Sequence, residues 1–135
     1  MNPNIKVVGA GGSGSNTISR IFSLRNQQKI DIGNVELLAV NTDAQALHFC
    51  KSDKKILIGK DATKGLGTGM DAGLGKKAAE ETKKEIAENL KGADMVFVTC
   101  GLGGGTGSGA SPIIAEISRE LGILTIAVVT LPFSF

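Results

Sequence analysis

The chain has 135 residues, 41% hydrophobic and 21% charged, with a formal net charge of +2; that is one domain's worth of chain, apolar enough to bury a core and too apolar for disorder. So small a charge, with five Phe and no Trp or Tyr, gives no footing for a nucleic-acid partner, which needs a basic face or aromatic platforms. Two cysteines and one histidine leave no disulfide scaffold, few zinc arrangements and no Ser-His-Asp site except one built on His48; with no secretory leader at residues 1–5 and no apolar run of membrane-spanning length, a cytoplasmic chain without membrane insertion is expected.

Ile5–Ala10 is a short apolar run ending in a glycine turn, the mark of a buried strand. A turn over 11–15 leads to a helix from Asn16 to about Arg25, where Ile18, Ile21, Phe22 and Leu24 keep helical spacing. A polar connection over 26–34 precedes a second strand over 35–40. A short helix over 43–50 follows, capped by Thr42 or Asp43. The third strand covers 55–58. Residues 59–75 carry six glycines and no periodicity, and predict a long functional loop. The clearest helix spans 76–91, with Ala78, Ala79, Thr82, Ile86 and Leu90 on one face and Gly92 as its stop. A fourth strand over 95–99, a second glycine turn over 101–109, a helix over 112–121 with Pro112 in its first turn, and a fifth strand over Leu124–Thr130 complete the order.

Strands that are apolar throughout and alternate with helices predict an α/β fold, a three-layer doubly wound parallel sheet covered on both faces. Right-handed crossovers give the strand order 3-2-1-4-5 and place a ligand at the carboxyl ends, where strands one and four diverge. Both tight glycine turns fall there. The first, Gly9 to Asn16, contains G-x-G-x-x-G at Gly9, Gly11 and Gly14, a weak signal alone that a merely tight turn would also give. Bare backbone N–H groups at a helix start attract phosphate, and missing side chains let it approach. The second, Cys100 to Gly109, is costly to order, and a close ligand explains that cost better than packing; Thr106 and Ser108 add hydroxyls. A third glycine stretch, Gly65 to Gly69, is open to two readings, a cover for a terminal phosphate or a mobile surface loop.

Three such loops suit a nucleoside triphosphate. The sequence is not a Walker A motif: Met70 stands where its first glycine belongs and Lys77 where its Ser or Thr belongs, so Lys76 and Lys77 are solvated helix charges. A dinucleotide site is the rival, with Asp43 as the ribose-binding acid, but Asp43 lies too far along and such a fold has no need of residues 103–109.

At these residues the sequence resembles the tubulin/FtsZ family, its bacterial cell-division branch in particular. The stretches that carry the resemblance are Gly103-Gly104-Gly105-Thr106-Gly107-Ser108-Gly109, Val40-Asn41-Thr42-Asp43-Ala44-Gln45-Ala46-Leu47, Lys64-Gly65-Leu66-Gly67-Thr68-Gly69, Gly92-Ala93-Asp94-Met95-Val96-Phe97-Val98-Thr99 and Val128-Val129-Thr130-Leu131-Pro132-Phe133. It implies a Rossmann-like GTP-binding domain, GTP-driven head-to-tail self-assembly and a place at midcell in the cytokinetic ring. By position, Gly11, Gly12, Ser13, Gly14, Ser15 and Asn16, and Gly103, Gly104, Gly105, Thr106, Gly107, Ser108 and Gly109, would contact the phosphates of GTP or GDP. Asn41 and Asp43 would lie beside nucleotide and metal, with Mg2+ as the implied ion and no ligand set assigned to it. Gly67, Thr68 and Gly69 would face the γ-phosphate. Ser13, Ser15, Leu131 and the run Met70-Asp71-Ala72-Gly73 depart from the family's usual residues.

The resemblance further implies that residues 1–135 are an N-terminal GTP-binding domain. The family's ribose- and guanine-reading residues, its central helix, the acidic catalytic loop and the C-terminal domain that is its natural partner would follow Phe135. This chain alone is then expected to bind GTP weakly and not to hydrolyse it. A non-catalytic partner-binding fragment or paralogue and, further off, an NAD-binding Rossmann domain are the alternatives. Among single residues, His48 reads as a surface or packing group, Cys100 as core and Cys50 as either. The lysines 51, 54, 55, 60 and 64 read as a solvated edge, and Leu131, Phe133 and Phe135 as an apolar patch.

Overall fold

A computed structural model describes residues 2–101 and 103–130. Five strands, β1 (Ile5–Ala10), β2 (Val35–Asn41), β3 (Lys54–Leu57), β4 (Met95–Gly101) and β5 (Leu124–Thr130), form one sheet in the order β3-β2-β1-β4-β5. Every pairing is parallel, with Val8 opposite Leu38 and Val98, and Val98 opposite Ala127. This is the predicted α/β architecture and strand order.

Buried strands in a parallel sheet send alternate side chains to two covered faces, and β2 does so residue by residue. Leu37 and Ala39 pack with Ile18, Leu47 and Cys50 beneath α1 (Gly11–Asn26) and α2 (Ala44–Phe49). Leu38 and Val40 join the larger core under α4 (Ala72–Glu81), α5 (Lys83–Leu90) and α6 (Gly105–Glu120), with Ala78, Ile86, Leu90, Ala110 and Ile114. Cys100 lies in that core as expected, Cys50 proves buried too, and His48 is on the surface.

Several boundaries differ from the sequence reading. The first helix begins at Gly11, not Asn16, and the last at Gly105, not Pro112, so both glycine turns are themselves the opening turns of helices. Glycine's poor helix propensity hides such starts. Pro112 is therefore inside α6, where it has no N–H to give the Ser108 carbonyl. Residues 59–75 are not one loop: they hold α3 (Lys60–Thr63) and the start of α4, which begins at Ala72 because Asp71 caps it. The helix predicted over 76–91 breaks at Thr82. Its hydroxyl donates to the Ala78 carbonyl at 2.9 Å and accepts the Gly59 N–H at 2.9 Å, and such back-bonding bends helices. The third strand starts one residue early, at Lys54. The expectation of two covered faces fails at β5, where Leu124, Ile126, Val128 and Val129 are exposed; this strand is tied to α6 on one side, through Thr125 and Ser118 at 2.7 Å. The apolar patch expected at Leu131, Phe133 and Phe135 lies outside the described residues.

Candidate functional site

The carboxyl ends of β1, β2 and β4 meet along one edge of the sheet, and four helices begin there or beside it. Their starts fall into two kinds. The Oδ1 atom of Asp43 accepts the N–H groups of Gln45 and Ala46 at 3.0 and 3.1 Å, so α2 carries its own cap. Asp71 does the same for α4 through the Leu74 N–H at 3.2 Å. In contrast, α1 follows Ala10 and α6 follows Gly104, neither has a side-chain cap, and neither has an acidic residue in its first turn. Their leading N–H groups and positive dipole ends are left for something other than the protein's own carboxylates.

The two bare starts are packed together, backbone on backbone. Gly11 has φ +76°, and a Cβ there would lie 2.8 Å from the Gly107 nitrogen. A Cβ at Gly14 would lie 2.6 Å from the Thr99 carbonyl oxygen, and one at Gly109 would run into the Ala72 carbonyl. Gly105 is closed in the same way by Thr68 and Asp71. These glycines have a packing reason of their own and are buried. Gly12, Gly103 and Gly104 differ: all are exposed, and a Cβ at any of them would meet nothing within 4 Å. Of the candidate residues, then, Gly12, Ser13, Asn16, Gly103 and Gly104 form the open floor. Ser108 is half-buried beside it, and Gly11, Gly14, Gly105, Gly107 and Gly109 set the spacing underneath.

The loop of Gly67, Thr68 and Gly69 comes to the same edge. It is held by an antiparallel bridge between Asp43 and Leu66, by the Ala44 N–H on the Gly65 carbonyl at 3.0 Å, and by Thr68 3.5 Å from the Thr106 hydroxyl. Leu66 stands 84% exposed on it. Between α1 and α2 a cleft of about 260 Å³ opens from the same edge, lined by Gly12, Ser15, Asn16, Asn41, Phe49 and Cys50 among others. The Ser15 hydroxyl in its wall is buried without a hydrogen-bond partner, and a buried orphan of this kind marks a place for a ligand atom or water.

An anion fits this donor set: two uncapped helix starts, open glycine floor, hydroxyls of Ser13, Ser15 and Thr106, and no carboxylate in either first turn. A divalent cation fits it only in company. Among the described residues no cluster of three His, Cys, Asp or Glu side chains exists. Asn41 Oδ1 already accepts the Thr42 and Asp43 N–H groups at 2.8 and 3.3 Å, and one Asp43 oxygen is spent on the cap. Magnesium is commonly held by one or two carboxylates plus phosphate oxygens and water; Asp43 would supply the protein's share and bound phosphates the rest.

Two residues have roles that spacing along the chain does not show. Asp71 is a cap hidden by the supposed loop; the signal was an Asp just ahead of Ala72, three residues before Leu74. Thr42 is wholly buried at the end of β2, with its hydroxyl 2.6 Å from that of Thr106. At the opposite end of the sheet Arg25 holds Asp53 by two hydrogen bonds of 2.9 and 2.7 Å, and Asp53 also accepts the Leu37 N–H at 2.8 Å. The guanidinium's hydrogen bonds hold the Asp53 carboxyl below the usual carboxylate range, and Asp53 in turn raises Arg25.

The model of the Tubulin/FtsZ family, GTPase domain, matches residues 4–135. Cell division protein FtsZ 1 of Pyrococcus horikoshii is 55% identical over 130 residues, 96% of this chain and 33% of that protein. Its counterpart in Pyrococcus furiosus is 53% identical over the same share. The chain thus spans about a third of the length of the curated relatives it matches. Among solved structures, an empty FtsZ dimer of M. jannaschii superposes with a TM-score of 0.90 at 52% identity, over 98% of this chain and 37% of that one. A GTPγS-bound protofilament of CetZ2 from Haloferax volcanii gives 0.81 at 30% identity, over 93% and 39%.

Proposed function

The chain belongs to the tubulin/FtsZ family through its GTPase domain, and on that premise we propose that residues 1–135 are the N-terminal GTP-binding domain, the part of a cell-division GTPase that grips the phosphates of GTP and GDP. The observation that carries this reading is the pair of uncapped helix starts, α1 and α6, pressed together by glycines where strands β1 and β4 end. Gly12, Gly103 and Gly104 offer main-chain N–H groups to phosphate oxygens, and Ser13, Ser15, Thr106 and Ser108 add hydroxyls. Gly67, Thr68 and Gly69 lie over the outermost phosphate. Asn41 and Asp43 border it, with Mg2+ shared between Asp43 and the phosphates.

This stretch holds nucleotide without turning it over. Asp43 caps α2 through one oxygen and gives the other to Mg2+, and Asp71 caps α4; activation of the attacking water falls to acidic groups elsewhere in the polymerised protein. Assembly follows from the same premise: copies stack head to tail, a C-terminal domain completes each, and the filament forms the cytokinetic ring at midcell from the cytoplasm. Neither nucleic acid nor membrane insertion has a part.

Calorimetric titration of the chain with GTP, ATP and NAD tests the reading. GTP is expected to bind with release by excess GDP and with no sustained phosphate production. Tighter binding of NAD than of GTP would overturn it.

A further inference from the structure

Thr42 is 0% exposed, and its hydroxyl has one hydrogen-bond partner among the described residues, the Thr106 hydroxyl at 2.6 Å. Its main chain is engaged separately: the N–H donates to Asn41 Oδ1, and the carbonyl accepts the Thr63 hydroxyl at 3.4 Å. A buried hydroxyl must place its proton on an acceptor or lose the worth of a hydrogen bond. Thr42 therefore donates to Thr106. Each hydroxyl carries a single proton, so that of Thr106 is left for an acceptor other than Thr42. The acceptor it meets is Thr68, at 3.5 Å, the long limit of such a bond. An anionic oxygen is a far stronger acceptor than a third hydroxyl at that distance.

Resting on the phosphate-binding reading above, we infer that Thr42 is a positioning residue: it fixes the Thr106 hydroxyl as a donor aimed at bound phosphate, and so makes phosphate and Thr68 competitors for one proton. When the site fills, Thr106 gives up Thr68 for the phosphate. The loop of Gly67 and Gly69 then keeps its ties to the end of β2, through Asp43, Ala44, Gly65 and Leu66, and its packing of Thr68 and Asp71 against Gly105, but loses its hydroxyl hydrogen bond to α6. Thr42 touches no ligand. It acts by deciding which way another residue's proton points.

The test uses the chain with Thr42→Val, which keeps shape and removes the donor, and Thr42→Ser, which keeps the donor. T42V is expected to weaken GTP binding about five- to twentyfold, and T42S to stay within about twofold of the original. In a Thr106→Val background, adding T42V is expected to cost less than about twofold more, because the proton it steers is already gone. A merely structural role would cost the same in both backgrounds. The Thr68 and Gly69 amide resonances are expected to shift on GTP addition in the original chain and T42S, and much less in T42V. Unchanged GTP binding by T42V, or its full loss persisting beside T106V, overturns the inference while leaving the phosphate reading intact. An original chain that takes no GTP overturns both. Should T42V not fold, the Thr42 hydroxyl proton of the original chain decides. Slow exchange and a nuclear Overhauser contact to Thr106 are expected, and a contact to any other acceptor contradicts the inference.

Discussion

The helix starts at the carboxyl edge of the sheet divide cleanly. α2 and α4 are closed by their own aspartates, Asp43 and Asp71, while α1 and α6 are bare and wedged against each other by Gly11 and Gly107. The closed pair shows how this protein finishes a helix when nothing else is to occupy its end. Leaving two adjacent helices unfinished forgoes about 1 kcal/mol of capping at each. That arrangement makes sense where an external anion supplies the missing acceptors. The glycines differ along the same line. In the bare turns a Cβ at Gly14 would strike main chain, whereas in the 65–69 loop Gly67 and Gly69 have room but sit at φ +86° and +60°. Gly14 is needed for space and Gly67 and Gly69 for backbone sign, while Gly11, at φ +76° with the Gly107 nitrogen 2.8 Å from its would-be Cβ, is needed for both.

That contrast can be broken most forcefully at Gly14. Gly14→Ala pushes a methyl to 2.6 Å from the Thr99 carbonyl, a main-chain atom that cannot swing aside, and is expected to lower unfolding stability by about 3 kcal/mol in denaturant melts. Gly12→Asp gives α1 the acidic first turn it lacks. Since nothing lies within 4 Å, stability should hold or rise by about 0.5 kcal/mol while GTP affinity falls at least about tenfold, read by calorimetry. Asp71→Ala opens one of the closed starts and should cost about 1 kcal/mol of stability.

The smallest effect is a control at the far end of the sheet. Asp53→Asn weakens the paired contact to Arg25 and should cost roughly 0.5 to 1 kcal/mol at neutral pH with GTP affinity unchanged. The folded state holds the Asp53 carboxyl below its ordinary value. Its stabilisation is therefore complete above about pH 4, the unfolded value, and drains away as pH falls through the folded one. The stability gap between the original chain and D53N should shrink over that acid range in melts taken at successive pH values.

The sheet was legible because β2 and β4 are apolar on both faces, and alternation with helices then leaves few topologies. The helix starts were not, because Gly11–Ser15 and Gly105–Gly109 have the composition of turns and fold as helix under tertiary contact. Asp71 was concealed by its glycine-rich neighbours. The break at Thr82 was hidden because Thr82 fits the apolar face by spacing and acts through its hydroxyl. Thr42 has the sequence position of a helix cap, a local role, but its partner is 64 residues away at Thr106. Spacing reveals neighbours along the chain; a hydroxyl pair across two loops leaves no periodic trace.

The central claim is that the bare starts of α1 and α6, and not the capped ones, receive the phosphates. Amide resonances followed through a GTP titration of the 15N-labelled chain test it directly. The account predicts the largest shifts at Gly12, Ser13, Gly103 and Gly104, with Gln45, Ala46 and Leu74 little moved. Largest shifts at Gln45, Ala46 and Leu74, with the glycine starts silent, would contradict it.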